Sequence, residues 1–198
     1  MNNENNTYET ENTTHSVAQV PAMDEARIAE INEILEAPRA YSKPFTATTW
    51  SQVLPGLYQG GTDDEDVVRF GRRYGAAITK EKFDLVVTMY AEALPVDWWV
   101  QELRYAIYDG DMNDVDLESL KEIVFEAHRQ WVAGRRVLVR CQAGWNRSAL
   151  VTCLVLIRAG FSADEAIHLI RRARGGYAMS NSTFEEWLRT TDLQEWKA

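Results

Sequence analysis

The chain has 198 residues, 45% of them hydrophobic and seven of them tryptophan, with a formal net charge of −9. That suffices for one ordinary domain with a full core plus extensions, and the acidic balance argues against nucleic acid or anionic membrane surfaces as bulk partners. No apolar run approaches the roughly 18 residues of a membrane helix, and two cysteines do not make a disulfide framework.

The N-terminal stretch MNNENNTYETENTTHS carries neither a basic patch nor an apolar core, so it does not read as a secretory signal. Residues 1–22 are rich in Asn, Thr and Glu, and a disordered tail is expected there. Residues 23–49 read as an N-terminal helical extension. Asp24 opens a helix over Glu25 to Glu36, with Ile28, Ile31, Ile34 and Leu35 near helical spacing, and Pro38 ends it. This helix is expected on the outside of the domain.

Residues 50–198 carry the main pattern. Trp50 to Tyr58 surrounds a Pro55-Gly56 turn, and Thr62 to Glu65 is a capping box opening a helix with Val67, Val68 and Phe70 on one face. Phe83 to Tyr90 is a buried strand by its β-branched run. A short helix is expected over Pro95 to Glu102, carrying Trp98 and Trp99, and a further strand over Leu103 to Tyr108. Asp116 or Asp114 then caps a long helix to Val132, with Leu117, Leu120, Ile123, Val124, Ala127 and Trp131 inward, and Gly134 closes it. A strand over Arg136 to Arg140, a loop, and a helix to Ala159 follow. Ser162 opens a helix to about Arg174, whose Arg171-Arg172-Ala173-Arg174 run reads as a solvated face, and Ser182 opens the last one, with Trp187 and Leu188. Strands alternating with helices predict an α/β domain with a central, mostly parallel sheet and helices on both faces.

The chemistry concentrates after the strand ending at Arg140. Cys141, Gln142, Ala143, Gly144, Trp145, Asn146, Arg147 and Ser148 join that strand to an apolar helix without proline or glycine. Backbone N–H groups at a helix start attract anions, and a thiol held there ionises more readily. Gly144 lets the loop curl. Arg147, a cation in a helix's first turn, is unfavourable unless an anion binds beside it, and its planar fork suits phosphate oxygens. A thiolate nucleophile, an anion cradle and a guanidinium together describe a phosphate-ester cleaving site, against the plainer reading of Cys141 as a buried structural thiol. The general acid is sought among Asp109, Asp111, Asp114 and Asp116, which precede the long helix at the carboxyl edge of the sheet. Asp111 is the first choice and Asp109 the reserve. Cys153 sits among apolar neighbours and reads as core. The three histidines have no ligand spacing, so neither metal nor cofactor is expected.

These residues resemble the cysteine-dependent protein tyrosine phosphatase superfamily, nearest its dual-specificity branch. Cys141-x5-Arg147-Ser148 matches the signature loop, Asp111 to Leu117 the acid loop, Pro55-Gly56-Leu57-Tyr58 the opening strands, and Ser180 to Phe184 with Trp187-Leu188 the closing helix. The similarity spans roughly Trp50 to Leu193. It implies Cys141 as nucleophile, Arg147 as phosphate clamp, the amides of Gln142 to Arg147 as cradle, Ser148 as helper of the departing sulfur and Asp111 as acid and base. It also gives Asn181 a part in positioning the attacking water, although helix capping explains Asn181 equally well. Arg140 departs from the family, which usually has a bracing histidine there; an arginine is expected to favour the thiolate by its charge.

The resemblance implies a phosphatase of protein phosphotyrosine, with phosphoserine and phosphothreonine open, acting on a phosphorylated protein in the cytoplasm. Rival readings are a catalytically weak phospho-binding module, an enzyme for phosphoinositide, nucleotide or RNA 5′-phosphate esters, and a rhodanese-type or arsenate-reducing thiol enzyme.

Overall fold

The computed structural model describes residues 24–37, 49–62 and 82–198. The expected N-terminal tail and the helix after Thr62 lie outside the described residues. Five strands, β1 (Trp50–Leu54), β2 (Leu57–Gly60), β3 (Leu85–Thr88), β4 (Gln101–Arg104) and β5 (Val137–Arg140), form one sheet in the order β1-β2-β5-β3-β4. β1 and β2 are an antiparallel hairpin, and β2, β5, β3 and β4 run parallel. The mostly parallel α/β architecture is therefore present.

Register places the site. Arg140 at the end of β5 stands opposite Gly60 on one side and Thr88 on the other. The carboxyl ends of β2, β5 and β3 thus align, and the chain leaves all three at the same edge. β5 is central because every residue of Val137–Arg140 is buried, as a parallel strand covered on both faces requires. Alternation along the strands splits the core. Leu85, Val87, Val137 and Val139 join the main core, while Val86 and Leu138 meet Phe83 and Val100 in a smaller cluster on the other face.

Five helices are described: α1 (Glu25–Glu36), α2 (Leu117–Val132), α3 (Arg147–Arg158), α4 (Ala163–Arg174) and α5 (Ser182–Thr190). α2 buries a stripe of Leu120, Val124, Ala127 and Trp131 at helical spacing. α3 is buried at every position from Ser148 to Ile157, so it is the central helix of the main core. Its N-terminus thereby points at the end of β5. α1 does not lie merely outside. Ile31 is fully buried in the main core, and Arg27 donates to Pro55 O in the hairpin turn, where the Trp131 indole also donates at 2.8 Å. Replacing Trp131 by alanine in such a setting costs about 3–5 kcal/mol.

Several expected boundaries shift. No helix forms over Pro95 to Glu102; that segment is turn followed by β4 at Gln101–Arg104, so the strand expected over Leu103 to Tyr108 begins and ends earlier. Trp98 and Trp99, 95% and 77% exposed, bury little that would hold a helix in place. β3 is confined to Leu85–Thr88 within the apolar run. Asp116, rather than Asp114, caps α2, and Asn181, rather than Ser182, caps α5. The capping box at Ser162 and Glu165 forms as expected. The described helices include none long and apolar enough to cross a membrane.

Candidate active site

The loop from Cys141 to Asn146 is gripped by the first hairpin. Cys141 N donates to Gly60 O at 3.1 Å, Thr62 N to Gln142 O at 2.9 Å, and the Gln59 amide to Gly144 O at 3.1 Å. Gly144 has φ +74°, and a Cβ on it would lie 2.4 Å from Gly60 C and from Gly61 N. A Cβ on Gly61 would lie 2.7 Å from Gln142 O. Side chains are excluded from both surfaces of this contact, which explains why glycines stand on each.

Cys141 is buried, with Sγ hydrogen-bonded to Ser148 Oγ at 3.3 Å. Ser148 Oγ accepts from the Cys141 thiol and also from Gln59 Nε2 at 3.4 Å. Gln59 is wholly buried and had drawn no attention in the sequence. Its signal was a polar side chain in an apolar strand just before the glycine pair. Cys153, by contrast, is fully enclosed in the main core, and burial pushes its thiol far up, in keeping with a packing role.

Arg147 opens α3 and is held loosely. Its two terminal nitrogens donate to Ile107 O and to Gln142 Oε1, both at 3.4 Å, and the guanidinium sits 5.2 Å from the Tyr90 ring centre. Its Nε is buried without a hydrogen-bond partner. The donors of this fork are thus incompletely committed.

The acidic segment lies across the loop. Asp109 accepts from Asn146 Nδ2 and from Asn181 Nδ2, each at 3.0 Å. Asp111 accepts from Asn113 N at 2.9 Å and caps the short 3-10 turn Met112–Asp114. Asp116 is occupied in capping α2. Of the four candidates, Asp109 is the one hydrogen-bonded to a residue of the Cys141–Asn146 loop. Asn181 does two things at once: Oδ1 caps α5 through Thr183 N and Phe184 N, and Nδ2 holds Asp109 and Gly110 O.

Arg140 points to the smaller cluster, on the face of the sheet opposite Val139. It is 4% exposed, donates to Thr88 Oγ1 at 2.9 Å and to Leu94 O, and pairs with Glu102 at 3.0 Å. Its charge is thus matched by a carboxylate. Burial works to raise the Glu102 carboxyl, but hydrogen bonds from Thr88, Arg104 and Arg140 outweigh it and hold the group below the usual glutamate value.

The arginine run of α4 is not a solvated face. Arg171 pairs with Glu185 at 2.6 Å and donates to Ala178 O and Met179 O, and Arg172 donates to Ile34 O of α1. Arg174 is buried and donates to Ser51 Oγ; burial lowers its pKa, while the Cys141 sulfur acts in the other direction. Arg174 therefore stands within electrostatic range of the Cys141 thiol. The Tyr177 ring lies 5.6 Å from that of Trp145 in the loop, the two planes inclined at 52°. Among the described residues no cluster of three or more His, Cys, Asp or Glu side chains is arranged to hold a metal.

Comparison with known proteins agrees with this geometry. The chain is 31% identical over 90 residues to Putative tyrosine phosphatase 123R of Invertebrate iridescent virus 6, covering 41% of this chain and 63% of the viral protein. It is 28% identical over 102 residues to the tyrosine-protein phosphatase CDC14 of Saccharomyces cerevisiae, covering 51% of this chain and 18% of the yeast protein. The chain thus spans less than two thirds of each of these relatives. The crystal structure of human DUSP28 superposes with a TM-score of 0.52 at 22% identity, over 75% of this chain and 100% of that one, a likeness of fold. The family description for the dual specificity phosphatase catalytic domain matches residues 79–193, more than half of the chain, a span that includes β3 through α5. The chain therefore belongs to the dual specificity phosphatase catalytic-domain family, within the cysteine-dependent tyrosine phosphatase superfamily.

Proposed function

We propose that the protein is a phosphatase of phosphorylated proteins, hydrolysing phosphotyrosine through a cysteinyl-phosphate intermediate without a metal or cofactor. The observation that carries this reading is the pairing of Cys141 with Ser148 at 3.3 Å directly before the helix that Arg147 opens. The Cys141 thiolate attacks phosphorus in line, the S–P bond forms as the P–O bond to the leaving phenol breaks, and an acid delivers a proton to that oxygen. Amides of Gln142 to Arg147 and the Arg147 fork hold the phosphoryl oxygens. Water then attacks phosphorus, the same carboxylate takes its proton, and Ser148 donates to the departing sulfur. We assign the acid to Asp109 in preference to Asp111, because Asp109 is hydrogen-bonded to Asn146 of the Cys141–Asn146 loop, whereas the Asp111 carboxylate bonds within its own 3-10 turn. Asn181, bound to Asp109, is suitably located for a role toward the attacking water.

Trp145, Tyr177 and Tyr90 beside the loop favour an aryl phosphate over an aliphatic one. The hairpin's hydrogen bonds to Cys141, Gln142 and Gly144 favour the enzyme over a phospho-binding module, since they brace the loop without the family's histidine. A reducing compartment such as the cytoplasm keeps the thiol active. The test is hydrolysis of phosphotyrosine and phosphoserine peptides, in chelator, by wild type and Cys141→Ser. The reading expects phosphotyrosine turnover that Cys141→Ser abolishes. Equal rates for the two proteins would sink it, and equal rates on the two peptides would widen the substrate class to both.

A further inference from the structure

Asn146 occupies the N-cap position of α3 but does not cap it. An asparagine there normally accepts from the amides of the first turn and stabilises the helix by about 1 kcal/mol. Here Oδ1 is turned away and accepts from Ser180 N at 2.8 Å, Ser180 Oγ at 3.1 Å and Asn181 N at 3.1 Å. Two backbone donors fix that end of the amide as the oxygen, so the nitrogen faces Asp109 Oδ2 at 3.0 Å. Asn181 is oriented by the same logic: its oxygen caps α5, so its nitrogen faces Asp109 Oδ1. Each carboxylate oxygen of Asp109 therefore receives an amide N–H from a different loop. The loop before α5 is itself held to the nucleophile loop. Met179, at the non-glycine φ of +59°, donates to Trp145 O at 2.9 Å, and such a backbone persists only where its surroundings impose it.

We infer that Asn146 is a positioning residue that ties the acid loop, through Asp109, to the nucleophile loop and to the loop before α5, so that acid and nucleophile keep one separation. This rests on the assignment of Asp109 as the acid. It also accounts for the missing helix cap, because an Asn146 oxygen folded over the first turn would compete with a substrate phosphate for those amides.

The experiment compares two aryl esters of one enzyme: phenyl phosphate, whose phenolate leaves poorly and needs the proton, and a nitrophenyl phosphate, whose leaving group needs it little. The readout is the ratio of kcat/KM on the first to kcat/KM on the second, which reports the step in which the phenol leaves and does not depend on the fraction of enzyme folded. Asp109→Asn should lower the ratio, and Asn146→Ala should lower it roughly 10- to 100-fold, the scale of a displaced acid. In the Asp109→Asn background, Asn146→Ala should leave the ratio where it was. If Asp109→Asn lowers the ratio and Asn146→Ala does not, the positioning role is wrong and the acid assignment stands. An unchanged ratio in Asp109→Asn overturns the acid assignment and the inference with it.

Discussion

The two arginines that bracket the nucleophile loop, Arg140 and Arg147, are built in opposite ways. Arg140 ends β5, is buried, and is locked to Thr88, Glu102 and Leu94 O, partners on β3, β4 and the connection between them. Arg147 begins α3 and has two long hydrogen bonds, an aromatic ring beneath it and an unpartnered Nε. A charge with a full set of partners is architecture, because moving it exposes the desolvation cost of both ions. A charge with spare donors at a helix start, where the dipole disfavours a cation, is poised for an anion that supplies what is missing.

The contrast is broken most sharply at Arg147. Arg147→Lys keeps the charge and removes the fork, and kcat/KM for a phosphotyrosine peptide should fall about 10²- to 10³-fold, with the melting temperature little changed. A rate within a few-fold of wild type would show that the fork is not used. Arg140→Ala should do the reverse. It removes one of the two arginines on Glu102, which keeps Arg104 at 3.1 Å and Thr88, a loss of about 1.5–3 kcal/mol, which for a chain of this size lowers the melting temperature by roughly 3–12 °C. Its kcat per folded molecule, from active-site titration, should change far less than that of Arg147→Lys.

Acid should weaken the Arg140 brace. The Glu102 carboxyl is held below its ordinary value in the folded protein, so its stabilising contribution is complete above that ordinary value and is lost as pH falls through the folded one. Glu102→Gln lacks this contribution. Its stability deficit, followed by urea unfolding, should be largest near neutrality and shrink as pH drops below the usual glutamate range. A deficit independent of pH would refute the ion pair as its source. The smallest effect concerns the aromatic rim. Tyr177→Ala removes the tilted ring contact with Trp145, and KM for phosphotyrosine should rise about 2- to 10-fold, as an aromatic contact of about 0.5–1.5 kcal/mol gives, with kcat preserved.

What the sequence revealed and what it hid divide by distance along the chain. The Cys141-to-Ser148 loop, the caps at Asp24 and Ser162 and the stripe on α2 are local patterns, and each was legible. The partners of Arg140 lie 38 to 52 residues away, and Gln59 reaches Gly144 across 85 residues. Periodicity carries no trace of such pairings. The run from Arg171 to Arg174 looked solvated because its carboxylate and carbonyl partners come from α5, its preceding loop and α1. Asp111 outranked Asp109 on similarity of spacing, and no spacing could reveal that two asparagines, at 146 and 181, converge on Asp109. The helix expected over Pro95 to Glu102 fails for a different reason: its two tryptophans face outward and bury little that would hold a helix in place.

Rapid acid quench of the enzyme with a phosphotyrosine peptide, followed by mass spectrometry of its fragments, tests the central claim most directly. The account predicts a phosphoryl group on Cys141 during turnover, longer-lived in Ser148→Ala and absent in Cys141→Ser. Turnover with no phosphocysteine at any quench time in wild type or Ser148→Ala, or with the phosphoryl group on another residue, would contradict it.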